Sequence, residues 1–170
     1  MGPDQDTQME ERRRLMLEEL PRLRRYARML VRDQARADDL VQECLVRAIG
    51  ALASFQPGTN MRAWLFTILR NTLYNETKRA RRMVEQTEEP VSAISGGQEE
   101  ALAMRDVQRA FDSLPDIQKE VVLLVAVEGL EYEDAAAVLG VPVGTVKSRL
   151  SRARQDIRDF LNPAKNKEGG

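Results

Sequence analysis

The sequence predicts an all-α protein: two small helical domains joined by a flexible acidic linker, the second ending in a helix-turn-helix. Three observations predict it. Apolar residues, 42% of the chain, recur at helical spacing in segment after segment, and no run alternates convincingly with period two. Aromatics make up only 5%, which suits Leu-, Val- and Ala-rich helices better than a β-sandwich. Charge is unevenly placed although the formal net charge is -1. Arg62, Arg70, Lys78, Arg79, Arg81 and Arg82 stand against the single acid Glu76, and Lys147, Arg149, Arg152, Arg154 and Arg158 against Asp156 and Asp159. Between these basic segments Glu85, Glu88, Glu89, Glu99 and Glu100 have no Lys or Arg among them. Domain boundaries are accordingly expected at 9–83 and 99–162, with a linker over 84–98.

Met1–Gln8 is polar and expected to fray. Glu10–Val31 reads as a helix, with Leu15, Leu20, Leu23, Ala27, Leu30 and Val31 near a 3.6 period; Pro21 can divide it in two. Ala35–Phe55 is the next, apolar at Leu40, Val41, Cys44, Leu45, Ala48, Ile49 and Leu52. "QPGTN" (Gln56–Asn60) is turn chemistry. Met61–Arg82 follows, apolar at Met61, Trp64, Leu65, Ile68, Leu69, Thr72 and Leu73, after which basic helix formers continue. The stretch "EQTEEPVSAISGGQEE" then breaks the pattern with Pro, Gly and acids, as a linker does.

Helical spacing resumes over Glu99–Ser113, with Ala103, Val107, Ala110, Phe111 and Leu114 expected inward. Asp116–Val127 follows Pro115, and Gly129 is placed to end it. Glu131–Leu139 is short and Ala-rich, Gly140–Pro142 is a tight turn, and Val143–Leu161 is the last helix before Asn162-Pro163 and a polar tail. On that last helix Val146, Leu150, Ala153 and Ile157 share one face. Thr145, Arg149 and Arg152 lie on another, with Ser148 beside them and Lys147 at the flank. Short hydroxyls with long cations suit phosphate contacts and base edges in a major groove. Pro142 is suited to the first helical position, where a missing N–H costs nothing. Small Ala136 admits a close neighbour and Gly140 a sharp turn, so the pair reads as a helix-turn-helix rather than a plain hairpin.

The absence of His removes the commonest general base, and one Cys cannot pair within the chain, so a Cys/His zinc site and a disulfide framework are both disfavoured. Cys44 reads as a small buried hydrophobe. No cofactor and no small-molecule substrate are expected. The longest apolar run, "VVLLVAV" (Val121–Val127), is too short to span a bilayer. The N-terminus has no signal-peptide pattern, so a cytoplasmic protein without membrane insertion is expected.

"YEDAAAVLGVPVGTVKSRLSRAR" resembles the second DNA-binding region of bacterial sigma factors of the extracytoplasmic-function (ECF) type, and "LPDIQKEVVLLVAVEGLEYEDAA" the helices preceding it. "RADDLVQECLVRAIGALASFQPGTNMRAWLFTILRNTLYNETKRARR" resembles the sigma domain that grips core RNA polymerase and melts the promoter. The likeness spans Leu15 to Leu161, and "MRAWLFTILRN" with "YEDAAAVLG" resembles the general-stress-response subgroup most.

The resemblance implies a promoter-specificity subunit, not an enzyme, whose partners are core RNA polymerase, promoter DNA and an anti-sigma factor. It implies that Asp39, Gln42, Glu43 and Val46 meet the polymerase clamp. It implies that Asn60, Arg62, Asn71, Asn75, Lys78, Arg79 and Arg82 hold the non-template strand of the −10 element, by amide hydrogen bonds and cations along the backbone. A loop with Pro and Gly could also receive an extruded base. Trp64 is a tempting stacking residue but lies on the apolar stripe; Tyr74 is the better placed aromatic. Gly144, Thr145, Lys147, Ser148, Arg149 and Arg152 are expected to read the −35 element, Arg149 through guanine and Arg152 through phosphate. Two departures stand out: Pro142 where the family commonly has a Ser cap, and Asp134 where Glu is common.

Three other readings compete. A stand-alone helix-turn-helix regulator would need a dimer interface, and none is marked. A sigma mimic could dispense with both basic patches. A recombinase with a DNA-binding tail would want a nucleophile with an acid/base set, which the chain lacks.

Overall fold

A computed structural model describes residues 3–83 and 100–163. The expected linker, 84–98, and the tail after Pro163 lie outside the described residues. All regular structure among the described residues is helical. The chain divides into two compact units, one built on 3–83 together with Ala137–Gly140 and one on 100–136 and 141–163.

In the first unit, α1 (Pro3–Glu18) begins well before the expected start, so Gln5–Gln8 are helical rather than frayed. Arg12 gives the physical reason. Its Nη1 donates to the carbonyls of Ala53 (2.8 Å) and Leu52 (3.3 Å), tying α1 to the turn Leu52–Ser54 that ends the third helix. Pro21 does divide the first predicted helix: α2 runs Leu20–Val31 with the proline in its first turn, where no N–H is missed. Arg32 then takes the left-handed conformation (φ 55°) and closes α2 by donating to Arg28 O. Asp33 caps α3 (Gln34–Ala51) by accepting from the Arg36 N–H at 2.7 Å. After Phe55, Gly58 (φ 85°) turns the loop into α4 (Met61–Met83).

The core of this unit is Leu23, Tyr26 and Ala27 from α2, Leu40, Cys44 and Ala48 from α3, and Leu65, Phe66 and Leu69 from α4, each at most 1% exposed. Tyr26 stacks on Phe66 with centroids 4.5 Å apart. Neither residue was among the expected inward positions. Cys44 approaches the Leu65 carbonyl (Sγ to O 3.6 Å), and burial pushes its thiol from an ordinary 9.0 up to about 12, with Arg47 pulling weakly the other way. The small hydrophobe reading of Cys44 holds.

The second half of the chain forms α5 (Glu100–Asp112), α6 (Asp116–Val122) continued by a π-helical segment Leu123–Val127, α7 (Tyr132–Leu139) and α8 (Val143–Leu161). Ala110, Phe111 and Leu114 are buried as expected, but Ala103 and Val107 are exposed, Val107 at 46%. Burial on α5 is confined to its C-terminal end. Gly129 (φ 69°) ends the α6 extension, where the Glu128 N–H reaches back to Leu123 O at 2.9 Å. Gly140 (φ 65°) makes the turn after α7, closed by the Val141 N–H on Ala136 O at 3.1 Å. Pro142 stands at the cap with extended ψ 150°, immediately before the helix that starts at Val143 as expected, and its carbonyl accepts from Thr145 and Val146.

Candidate nucleic-acid and polymerase interfaces

On α3 the buried residues Ala37, Leu40, Val41, Cys44 and Ala48 form one face. Asp39, Gln42, Glu43 and Val46 fall on the opposite one and are all exposed, Val46 at 67%. Glu43 is held by Arg47 one turn on (Nε to Oε1 2.8 Å), a half-exposed pair that is cheap to exchange. Ile49, expected inside, is 58% exposed beside Val46. At about 100° per residue it belongs to the outer face. The polar face therefore carries an apolar centre of Val46 and Ile49, which hydrophobicity counted without phase conceals.

On α4 the expected −10 residues separate into three groups. Asn71, Asn75, Lys78 and Arg82 are exposed and fall on one stripe at helical spacing, with Tyr74, 63% exposed, at its edge. Arg79 is exposed beside them. Trp64 lies on the same stripe nearer the helix start; it is half-buried, its ring edge-on to Phe55 at 5.3 Å, so it is neither sealed core nor free platform. Asn60 is used by the helix itself: its carbonyl accepts from Trp64 N–H and its side chain from Ala63 N–H at 3.3 Å. Arg62 departs furthest from the expectation. It projects to the opposite side of α4, where its guanidinium meets Glu19 in a forked pair (2.8 and 3.2 Å), both side chains about four-fifths buried. Residue type grouped Arg62 with the DNA-facing cations; helix phase and a partner 43 residues away separate it from them.

Beside the start of α4, α1 and the loop line an open cleft of about 310 Å³. Gln8, Glu11 and Arg12 line one side, Phe55, Pro57 and Thr59 the other. The Thr59 hydroxyl donates to Gln56 O at 2.7 Å, which stiffens the loop. The participation of α1 was not visible in the sequence, because α1 carries no periodic stripe that announces a partner.

On α8, Val146, Leu150 and Ala153 are at most 2% exposed. Opposite them Gly144, Lys147, Ser148 and Arg152 stand in solvent, together with Ser151 and Gln155, which were not singled out from the sequence. Helix phase alone could have found these two. A Cβ built on Gly144 would meet nothing within 4 Å, so the glycine leaves the backbone open to an approaching group. Thr145 and Arg149 lie beside the buried face and are half-buried. Arg149 is thus at the flank next to the buried face, and Arg152 is exposed further out on the same side, while Ser148 and Gln155 occupy the centre of the outward stripe. Ser148 donates to Thr145 O at 3.1 Å, and Lys147 Nζ lies 5.8 Å from the Tyr132 ring centroid.

The α3 and α8 surfaces fall within two segments that match known families, whereas the α4 stripe from Asn71 to Arg82 lies just past the first of them. Residues 16–70 match the Sigma2 domain of PhyR, and residues 104–157 match Sigma-70, region 4. The ECF RNA polymerase sigma factor EcfG of Rhodopseudomonas palustris is 44% identical over 149 residues, 86% of this chain and 82% of that protein. The chain belongs to the ECF sigma factors. The ECF RNA polymerase sigma factor SigE of Mycolicibacterium smegmatis is 35% identical over 86% of this sigma factor and 60% of its own length. Among solved structures, the sigma factor RpoE in complex with the anti-sigma factor NepR from Bartonella quintana superposes with TM-score 0.77 at 37% identity, covering 88% of this chain and 96% of that one. CnrH in complex with the cytosolic domain of CnrY gives 0.64 at 28% identity, covering 94% and 96%. The sigma reading stands over a stand-alone regulator. Among the described residues no helix is long and apolar enough to cross a membrane, and no cluster of His, Cys, Asp and Glu could hold a metal ion.

Proposed function

We propose that this sigma factor divides promoter recognition between its units. Asp39, Gln42, Glu43, Val46 and Ile49 on α3 meet the clamp of core RNA polymerase. Asn71, Asn75, Lys78, Arg79 and Arg82 on α4 hold the non-template strand of the −10 element, with amides for hydrogen bonds and cations for the backbone. The cleft between α1 and the Phe55–Asn60 loop receives an extruded base. Asn60 and Arg62 shape the start of α4 rather than contact DNA. Gly144, Lys147, Ser148 and Arg152 on α8 enter the major groove of the −35 element, Arg152 foremost, with Thr145 and Arg149 along the phosphates.

Chemistry belongs to the polymerase, and this chain has no catalytic step of its own. It works in the cytoplasm in a stress response and is held inactive by an anti-sigma factor, as the RpoE–NepR likeness and the EcfG relative support. The observation that carries the reading is the set of exposed cations on α8, flanking a small-residue and polar strip opposite a sealed apolar face, in a chain that also keeps a second basic stripe on α4. A sigma mimic has no use for either.

Size-exclusion co-elution with core RNA polymerase, without DNA, tests it. A stoichiometric complex is expected from the wild type and from Arg152→Ala, and none from Asp39→Arg/Glu43→Arg. Equal loss of polymerase binding in Arg152→Ala would overturn the assignment of faces.

A further inference from the structure

Near the proposed DNA surface, the helix-turn-helix brings Tyr132 of its first helix and Lys147 of its second together. Tyr132 opens α7, half-buried; Lys147 lies one turn into α8, exposed. Lys147 Nζ stands 5.8 Å from the Tyr132 ring centroid, within the range at which an ammonium is attracted to an aromatic face. A free lysine has four rotatable bonds and a large rotamer entropy to lose when it is fixed on DNA. A ring that holds the ammonium beforehand removes part of that loss.

We propose that Tyr132 is a positioning residue for duplex recognition: its ring seats Lys147 so that the ammonium is already oriented toward the −35 DNA. The proposal rests on the reading of α8 as the −35 helix. The ring, not the hydroxyl, is the active part. The attraction arises from the π face, which Phe also offers and Leu does not. An exposed contact of this kind corresponds to about a two- to fivefold change in affinity.

The test uses holoenzyme assembled from core polymerase and the full chain, with the duplex that the wild-type holoenzyme enriches from a random-sequence pool as probe. Tyr132→Leu is expected to weaken binding about two- to fivefold, and Tyr132→Phe to leave it unchanged. In a Lys147→Ala background Tyr132→Leu should have no further effect, a result that a merely structural role for the tyrosine would not give. In the free chain the Lys147 ε-methylene protons should be shifted upfield by the ring in wild type and Tyr132→Phe, and not in Tyr132→Leu. Equal weakening by Tyr132→Leu with and without Lys147 would overturn the proposal. So would a Tyr132→Phe as weak as Tyr132→Leu, which would assign the effect to the hydroxyl. A wild-type holoenzyme that enriched no duplex would instead overturn the −35 reading, and the proposal with it.

Discussion

Glu19→Ala should destabilise the first unit by about 2 kcal/mol, and the geometry says why. Glu19 sits between α1 and α2, and its carboxylate takes a forked contact from Arg62 at the start of α4, at 2.8 and 3.2 Å. Side-chain exposures of 21% and 18% put the pair between two limits. Exposed pairs contribute about 0–1 kcal/mol, and breaking a fully buried one costs about 3–5 kcal/mol. Residual solvent screening holds the figure to the lower middle of that range. For a unit of this size about 2 kcal/mol corresponds to a fall of roughly 10 °C in Tm. Urea unfolding followed by Trp64 fluorescence measures it, since the chain's only tryptophan lies on α4. Arg62→Ala should cost a similar amount, and the double variant little more than either alone. Promoter opening, read by permanganate footprinting of the holoenzyme, should fall no further than the stability loss explains. Additive stability losses, or an Arg62→Ala that abolishes opening while Glu19→Ala leaves it intact, would return Arg62 to the DNA-contacting set.

Three further outcomes are expected. Asn75→Ala or Lys78→Ala should reduce promoter opening with no change in urea midpoint; a shifted midpoint would place those side chains in the fold instead. Cys44→Ala should remove an alkaline instability. The unfolded thiol ionises near 9.0 and the buried one only at about 12, so the unfolded chain binds fewer protons in that window and stability falls as pH rises. The wild type should therefore lose up to about 1.4 kcal/mol per pH unit relative to the variant. Parallel pH profiles would contradict the burial argument. Gly140→Ala should cost about 1–2 kcal/mol through its φ of 65° alone, since an added Cβ meets nothing within 4 Å, and Gly140→Asn less; equal melting curves for all three would refute it.

The sequence by itself determined the helices, their order and the helix-turn-helix, because each depends on local signals: apolar spacing, the break at Pro21, and the turns at Gly129 and Gly140. It also determined that α8 has a cationic side, since Val146, Leu150 and Ala153 define the buried side without reference to any other element. Only the tertiary structure decided which apolar residues are covered. Val107 looks inward by type and spacing, yet it is exposed, because coverage depends on where a neighbouring helix packs and not on the residue. It likewise decided which polar groups are already committed. Arg62 is bound by Glu19, Arg12 by the carbonyls of Leu52 and Ala53, and Lys147 stands over the Tyr132 ring. Each partner lies well beyond the helical repeat, so no spacing along the chain encodes it; the fold brings the two groups together.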